Sequence, residues 1–228
     1  MWTDLKPIDL TKIPIYPYPE DKYFKEEWTK TQIVLHHTVS GPNIEGDVST
    51  WIDGKYNIGT CIIVDRDGVP WQLFSSRYWA YHLGSGDHEQ DRRSIGIEID
   101  NWGWVIPGDG TVKHIGTHVV HTIKGKYYNS YGYPVNVDLQ EYSGGFRGYN
   151  FYEKYTMAQI QTVGELLLYW RNKYNIPLIY KPEMWDVSQG ALNGEPGVWT
   201  HVSFRGDKND CHPYPQLIEM LQTLQNIS

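Results

Sequence analysis

The sequence predicts a single α/β domain, and three observations lead to this prediction. A chain of 228 residues with 40% hydrophobic content is long enough to bury one sizeable core. Short apolar runs bounded by turn residues alternate along the chain with segments of helical periodicity. The alternation is not broken by an internal repeat or a low-complexity tract. We therefore expect one compact unit of the size of an enzyme.

The apolar runs are predicted to be strands. QIVLHHT (32–38) is a continuous run, and SIGIEID (94–100) places isoleucine at every second position. GTCIIVDRDGVPWQLF (59–74) is typical of a hairpin, with Asp67-Gly68 supplying the turn. These strands provide the framework on which polar residues can be placed.

Three segments are predicted to be helices. Apolar residues recur at three- and four-residue intervals from Thr156 to Tyr174, and Thr156 with Gln159 matches a capping box. VSTWIDG (48–54) is typical of a short helix, and PQLIEMLQTLQNI (215–227) of an amphipathic one.

The remaining parts are a leader and an insertion. Residues 1–30 are rich in Pro and Tyr, and we expect them to flank the main unit of 31–228. Residues 103–152 are rich in Gly and Tyr and are predicted to be a surface insertion, with a hairpin in VVHTIKGKYY around Lys124-Gly125.

Composition limits the partners. The net charge of −7 and the pI near 5.7 argue against nucleic acid or an anionic membrane. No signal-peptide pattern or membrane-spanning run is present, so we expect synthesis in the cytoplasm and no stable membrane insertion. We also expect a monomer. The ten Trp and eighteen Tyr residues fit a carbohydrate or peptide groove, but they equally fit a core. Two cysteines exclude a disulfide framework and leave metal binding as an option.

Two adjacent histidines interrupt the first apolar run. Successive side chains of a strand point to opposite faces, so His36 and His37 cannot both enter one site. His201 and Cys211 lie in WTHVSFRGDKNDCHPYP with a glycine-containing loop between them that can bring both to one point. Imidazole and thiolate are preferred Zn²⁺ ligands, and three protein ligands leave a position for water. His212 competes with Cys211, but the softer thiolate is favoured.

A rival histidine cluster occurs in HIGTHVVHT. On a helix, His114, His118 and His121 would share a face. Gly116 and the β-branched neighbours favour a strand instead, which sends His118 and His121 to opposite faces. We interpret this group as structural.

A general base is predicted in RRSIGIEIDNWG. The isoleucines alternate onto one face of the strand and leave Glu98 on the other. A carboxylate held beside a metal-activated water can take its proton and return it to a leaving amine. The alternative is a solvated glutamate in a salt bridge.

Six segments together resemble the type 2 N-acetylmuramoyl-L-alanine amidases, a family that shares its fold with peptidoglycan recognition proteins. In order and approximate spacing these are IVLHHT, DRDG, YHLG, SIGIEIDNWG, YTMAQ and DKNDCHP. The resemblance covers about residues 31–225. It implies a mixed central β-sheet flanked by helices and one Zn²⁺ in a groove. It also implies hydrolysis of the amide between N-acetylmuramic acid and L-alanine in peptidoglycan.

The resemblance assigns roles to individual residues. His36, His201 and Cys211 match the zinc ligands, where many bacterial members use aspartate as the third. Glu98 matches the catalytic base, and His82 a histidine near the substrate. His37 is then structural.

Two positions depart from the family pattern. Thr60 stands where phage members place a catalytic tyrosine. The family's oxyanion lysine would fall on Asn209, but the lysine here is Lys208, one residue earlier. From the residues themselves, Trp102 and the tyrosines of the insertion are candidates for one wall of a substrate groove.

Three functions remain open after this comparison. The first is a phage endolysin that reaches the wall after a partner permeabilises the membrane. The second is a cytosolic amidase that recycles muropeptides. The third is a non-catalytic peptidoglycan-binding module of the same fold, against which the complete ligand set and Glu98 argue.

Overall fold

A mixed five-stranded sheet forms the centre of the molecule. A computed structural model describes residues 2–227 of the chain. The strand order is β12-β1-β4-β2-β3, in which only β3 is antiparallel to its neighbour. The strands are β1 (Gln32–His37), β2 (Ile62–Val64), β3 (Pro70–Gln72), β4 (Ser94–Ile99) and β12 (Gly197–Thr200). The predicted α/β class and the Asp67-Gly68 hairpin are confirmed.

Every residue of β1, β4 and β12 is buried. Parallel sheets are normally covered on both faces, which explains the near-continuous apolar runs of these strands. A polar side chain at such a position loses water on folding and needs another partner. The buried polar residues of these three strands therefore require an explanation, and they are Gln32, His36, His37, Ser94, Glu98 and Thr200.

Helices cover the sheet. They are α1 (Ile44–Asp53), α2 (His88–Arg93), α3 (Met157–Tyr174), α4 (Gln189–Leu192) and α5 (Pro215–Leu224), with 3-10 turns at Glu20–Lys22, Pro182–Trp185 and His201–Ser203. The capping box of Thr156 and Gln159 is present, and α3 packs against α5 and β2. Helix α1 begins earlier than predicted because the side chain of Asn43 caps it by accepting from the Gly46 N–H.

The segment 103–152 contributes most of a second sheet, of order β10-β11-β5-β8-β9, and a separate hairpin. The strands are β5 (Trp104–Pro107), β6 (Val112–Ile115), β7 (His118–His121), β8 (Tyr127–Tyr128), β9 (Pro134–Val135), β10 (Leu139–Phe146) and β11 (Tyr149–Glu153). The predicted hairpin around Lys124-Gly125 is wrong, because β7 pairs with β6 and β8 pairs with β5 and β9. As expected for a strand, β7 separates His118 from His121 by three residues and so places them on opposite faces.

The leader packs onto the edge of the central sheet. Ile15 bridges to Gln72 of β3, and Phe24 bridges to Trp79. Trp2 and Tyr18 are buried in the main core. The leader thus covers an edge strand that would otherwise present unpaired backbone groups.

Across residues 2–227, no helix has the length and apolar character needed to cross a bilayer.

Candidate functional site

A cleft of about 230 Å³ opens at the carboxyl ends of the parallel strands. His36 lies near the end of β1, Glu98 near the end of β4, and His201 directly after β12. Because parallel strands end at the same edge of a sheet, these three residues are brought together although they are far apart in sequence. The polar residues that line it are His36, His37, Thr38, Thr60, His82, Glu98, His201, Lys208 and Asp210.

Three side chains meet at one point of this cleft. His36 Nδ1 lies 3.0 Å from His201 Nδ1. Asp210 Oδ2 lies 2.9 Å from His201 Nδ1 and 3.3 Å from His36 Nδ1. Ligand atoms at about 2.0–2.2 Å from a tetrahedral zinc ion are roughly 3.3 Å or slightly more from each other. The triangle of atoms matches a three-ligand zinc site within a few tenths of an ångström.

The protonation of these groups also suits a metal. Burial, and then the neighbouring His201, lower the pKa of His36 to about 4. Burial opposes ionisation of Asp210, but the adjacent His201 and His36 hold the pKa of this carboxyl well below its usual value. His201 Nε2 donates to the carbonyl oxygen of Leu83 at 2.8 Å, which leaves Nδ1 for a metal. Nitrogen and carboxylate donors of this kind fit Zn²⁺.

Cys211, expected as the third ligand, is not part of this group. Among the described residues, the only cluster of His, Cys, Asp or Glu that could hold a metal ion is His36, His201 and Asp210. The Cys211 thiol is buried within hydrogen-bonding reach of the Tyr155 hydroxyl, and burial raises its pKa well above the ordinary value. The structure therefore differs from the sequence prediction by one residue. DKNDCHP contains both donors side by side, and only the path of the loop decides which one turns to the histidines.

Glu98 stands beside His36. The two residues are directly paired in the register of β4 and β1, so their side chains project from the same face of the sheet. Glu98 is 8% exposed, and its Oε2 has no hydrogen-bond partner among residues 2–227. Burial, with Asp210 and Asp47 nearby, raises the pKa of Glu98, while Lys208 acts in the opposite direction. An unpaired buried carboxylate oxygen facing the cleft is placed to accept a proton.

The remaining predicted site residues are divided between two places. Lys208 and Thr60 line the cleft, and His82 lies behind His36 with its Nδ1 2.9 Å from His36 Nε2. Trp102 lines a separate groove of about 490 Å³ between the central sheet and the insertion, where the Arg66 guanidinium lies 5.9 Å from its ring.

His37 lies on the opposite face of β1. Its Nδ1 is 3.0 Å from the Tyr155 hydroxyl, and a Cβ added to Gly103 would lie 2.5 Å from its Nε2. Gly103 also has a φ of +70°, so both the close approach of His37 and the backbone conformation require glycine there. His37 thus packs within the protein, away from the three converging atoms.

Comparison with known proteins places these observations in a family. The family model for N-acetylmuramoyl-L-alanine amidase matches residues 28–213. No curated protein sequence matches the chain significantly.

Similar solved structures cover nearly the whole chain. PlyL is 15% identical, with a TM-score of 0.53 over 92% of this chain and 97% of its own. The PlyG catalytic domain is 17% identical, with a TM-score of 0.52 over 95% and 97%. The endolysine N-acetylmuramoyl-L-alanine amidase LysCS from Clostridium intestinale URNW is 15% identical, with a TM-score of 0.51 over 95% and 97%. These likenesses show a common fold. Since the family model spans most of the sequence, the chain belongs to the N-acetylmuramoyl-L-alanine amidase family of enzymes.

Proposed function

We propose that the protein is a zinc-dependent amidase that cleaves the bond between N-acetylmuramic acid and L-alanine in bacterial peptidoglycan. The observation that carries the proposal is the convergence of His36, His201 and Asp210 beside the unpaired Oε2 of Glu98. Ligands and base share one cleft at the carboxyl edge of the sheet. Membership of the amidase family supports an amide as the bond that is broken.

The residues of the cleft have separable tasks. His36, His201 and Asp210 would hold a zinc ion, which would supply Lewis-acid activation of water and of the carbonyl under attack. Glu98 accepts the proton of the attacking water at Oε2 and later donates it to the departing alanine nitrogen. Lys208, which lines the same cleft, provides positive charge for the oxygen that becomes negative in the transition state.

One departure from the family pattern disappears with Asp210 as the third ligand, because Lys208 then lies two residues before it. The other departure fits this division of tasks. Thr60 Oγ1 donates to the backbone carbonyl of Ile62 at 3.2 Å, and a hydroxyl of this kind has no acid–base role near neutral pH. Proton transfer is therefore assigned to Glu98 alone. We assign Trp102 and the groove beside it to the more distant parts of the polymer, since exposed ring surface binds sugars and extended peptides.

For the biological setting we propose an endolysin that is made in the cytoplasm and acts on the wall after a partner permeabilises the membrane. LysCS, described as an endolysine, shares the fold over 97% of its own length, which supports this choice. A muropeptide-recycling amidase is the alternative. An endolysin degrades intact sacculi, whereas a recycling enzyme acts only on soluble fragments.

The bond is tested by analysis of digested peptidoglycan. An amidase releases new L-alanine amino termini without new reducing sugar ends. Mass spectrometry of the products should find free stem peptides beside intact glycan strands, and new reducing ends would refute the proposal. Strong chelation should stop the reaction and added Zn²⁺ restore it. Binding to peptidoglycan without any product would favour the non-catalytic module.

A further inference from the structure

The imidazole of His36 can bind a metal through Nδ1 only if its proton is on Nε2. Imidazole has two neutral tautomers, and the group that meets the other nitrogen selects between them. In this protein, that group is His82, whose Nδ1 lies 2.9 Å from His36 Nε2. The question is therefore which of the two nitrogens donates.

The hydrogen bonds of Ser94, which lies on the other side of His82, decide which nitrogen donates. Its Oγ lies 2.6 Å from the backbone carbonyl oxygen of Gln90, which can only accept, so the single hydroxyl hydrogen points there. His82 Nε2 lies 2.8 Å from the same Oγ. Ser94 has no second hydrogen to give, so His82 must donate from Nε2.

A proton on Nε2 leaves Nδ1 of neutral His82 as an acceptor. Within residues 2–227, the ring of His82 hydrogen-bonds only to His36 and Ser94, so a charged ring would have no carboxylate partner. His36 must then donate from Nε2, which leaves its Nδ1 lone pair facing His201 and Asp210.

We propose that His82 and Ser94 form a hydrogen-bond relay that fixes the tautomer of His36 and so prepares the metal site. The direction runs from His36 Nε2–H to His82 Nδ1, from His82 Nε2–H to Ser94 Oγ, and from Ser94 Oγ–H to the Gln90 carbonyl. His82 is then a positioning residue and does not bind substrate. The inference rests on the proposed zinc site.

The same short segment orients the second histidine ligand. The carboxylate of Asp91 in α2 accepts from the backbone N–H groups of His82 and Leu83 at 2.9 and 3.0 Å. Leu83 in turn offers the carbonyl that receives His201 Nε2–H. Helix α2 and the start of β4 thus hold both imidazoles with their Nδ1 atoms toward the site. Partners of this kind behind a ligand typically change metal affinity by about 10- to 100-fold.

The relay is tested directly by nitrogen NMR of the metal-free protein labelled with ¹⁵N-histidine. We expect His82 to show a protonated Nε2 and an unprotonated, hydrogen-bonded Nδ1. A doubly protonated ring, or a proton on Nδ1, overturns the proposal. This measurement requires neither zinc nor activity, so a failure of the relay is distinguishable from a failure of the proposed function, which is shown by wild-type protein that does not bind zinc.

Substitutions test the consequence for metal affinity. Ser94→Ala removes the acceptor for His82, and we expect the dissociation constant for Zn²⁺ to rise about tenfold or more. Ser94→Thr keeps the hydroxyl and should restore most of the affinity. Ser76→Ala is the matched control, because Ser76 is also buried and bonded, to the Tyr174 hydroxyl at 2.9 Å, but forms no hydrogen bond to a histidine among residues 2–227. Equal zinc affinity in Ser94→Ala and Ser76→Ala overturns the relay.

A kinetic comparison separates positioning from substrate binding. His82→Gln retains an amide oxygen that can accept from His36, whereas His82→Leu does not. Under the relay, His82→Leu weakens zinc binding by about 10- to 100-fold and regains a near wild-type KM when zinc is saturating. A raised KM with unchanged zinc affinity would assign His82 to the substrate instead. If Ser94→Ala or His82→Leu does not fold, the NMR measurement and Ser94→Thr still decide the question.

Discussion

Two groups of histidines lie on the two faces of β1, and they differ in the partners that they meet. On one face, His36 and His201 converge on the carboxylate of Asp210 beside Glu98. On the other face, His37 meets the Tyr155 hydroxyl, and His212 accepts from the Tyr142 hydroxyl at 2.6 Å while donating to the Glu153 carbonyl at 3.0 Å.

The partners, not burial, distinguish the two faces. Burial lowers the pKa of both His36 and His37 to about 4, so the two residues do not differ in charge. Both ring nitrogens of His212 are used by hydroxyl and carbonyl partners, so no lone pair remains for a metal ion. The ring of His212 also stacks on Tyr155. Lone pairs that converge with a carboxylate instead form a cation site. Adjacent residues of one strand thus face a candidate metal site on one side and a packed interior on the other.

The largest effect is expected from the third ligand. Asp210→Asn should lose zinc and reduce turnover by about a thousandfold, since the several kcal/mol that a metal supplies to the transition state are lost. Cys211→Ala should keep one zinc per chain and most of the activity. Metal content by atomic emission and the rate on purified peptidoglycan measure both. Full zinc content in Asp210→Asn together with its loss in Cys211→Ala would return the ligand role to the cysteine.

Glu98→Gln should separate proton transfer from metal binding. The amide keeps the size of the side chain but has no useful basicity, so hydrolysis should slow by about 10²- to 10⁴-fold. Zinc content and peptidoglycan binding should be unchanged, because Glu98 is not one of the converging ligands. Near wild-type turnover in a zinc-loaded variant would move the base to another residue, and loss of zinc would show that Glu98 supports the metal site.

Asp47 is a buried carboxylate without a histidine partner, and its pKa can be compared with that of Asp210. Asp47 is buried, its Oδ1 accepts from Ser40, and its Oδ2 has no partner among the described residues. Burial raises the pKa of Asp47 to about 6 from an ordinary 3.8. Because the pKa of Asp47 is higher in the folded state, its contribution to the free energy of unfolding is greatest below the pKa of the unfolded chain, near 3.8. This contribution is lost as the pH rises through about 6. Asp47→Asn should remove this loss.

The measurement is the free energy of unfolding in urea at pH 4 and pH 7.5. We expect Asp47→Asn to be more stable than the wild type by about 1–3 kcal/mol at pH 7.5, with a smaller difference at pH 4. Other carboxyl groups also titrate in this range, so the difference between variant and wild type is compared rather than either curve alone. An equal difference at both pH values would contradict the assignment to Asp47.

A substitution on the face of β1 that carries His37 should lower the stability of the protein without changing metal binding. Tyr142→Phe removes the hydroxyl that donates to His212 Nδ1 and leaves a buried acceptor without a partner. The expected cost is about 1–3 kcal/mol of unfolding free energy. Zinc affinity should not change, because neither Tyr142 nor His212 belongs to the cluster of His36, His201 and Asp210. A tenfold loss of zinc affinity would show that the two faces are coupled through the loop that carries Asp210.

The smallest effect is expected in the groove beside the insertion. Trp102→Ala should raise KM for polymeric peptidoglycan by about two- to tenfold, the range that loss of one aromatic contact supplies. Turnover of short soluble fragments should not change. Replacement of Tyr133, which is 66% exposed in the insertion and does not line this groove, is the control. Equal KM values for Trp102→Ala and wild type would leave the groove without a role in binding.

Much of the candidate site was accessible from the sequence. Strand alternation separated His36 from His37 and placed Glu98 on the face away from the isoleucines, and the structure agrees with both placements. The capping box and the Asp67-Gly68 turn are local patterns, and they too are present. Local periodicity sets side-chain direction within an element, so such features need no tertiary information.

The sequence by itself determined the α/β class, the strands that hold His36 and Glu98, and the loop that supplies the third member of the candidate metal site. Only the tertiary structure decided that Asp210 turns to the histidines while Cys211 turns to Tyr155, that Ser94 and His82 stand behind His36, and that β7 pairs with β6. The reason is physical. Each of these choices depends on which distant group fills a position in space. Two neighbouring donors in a loop, or two turn-forming segments in an insertion, have similar local energies until the rest of the chain packs against one of them.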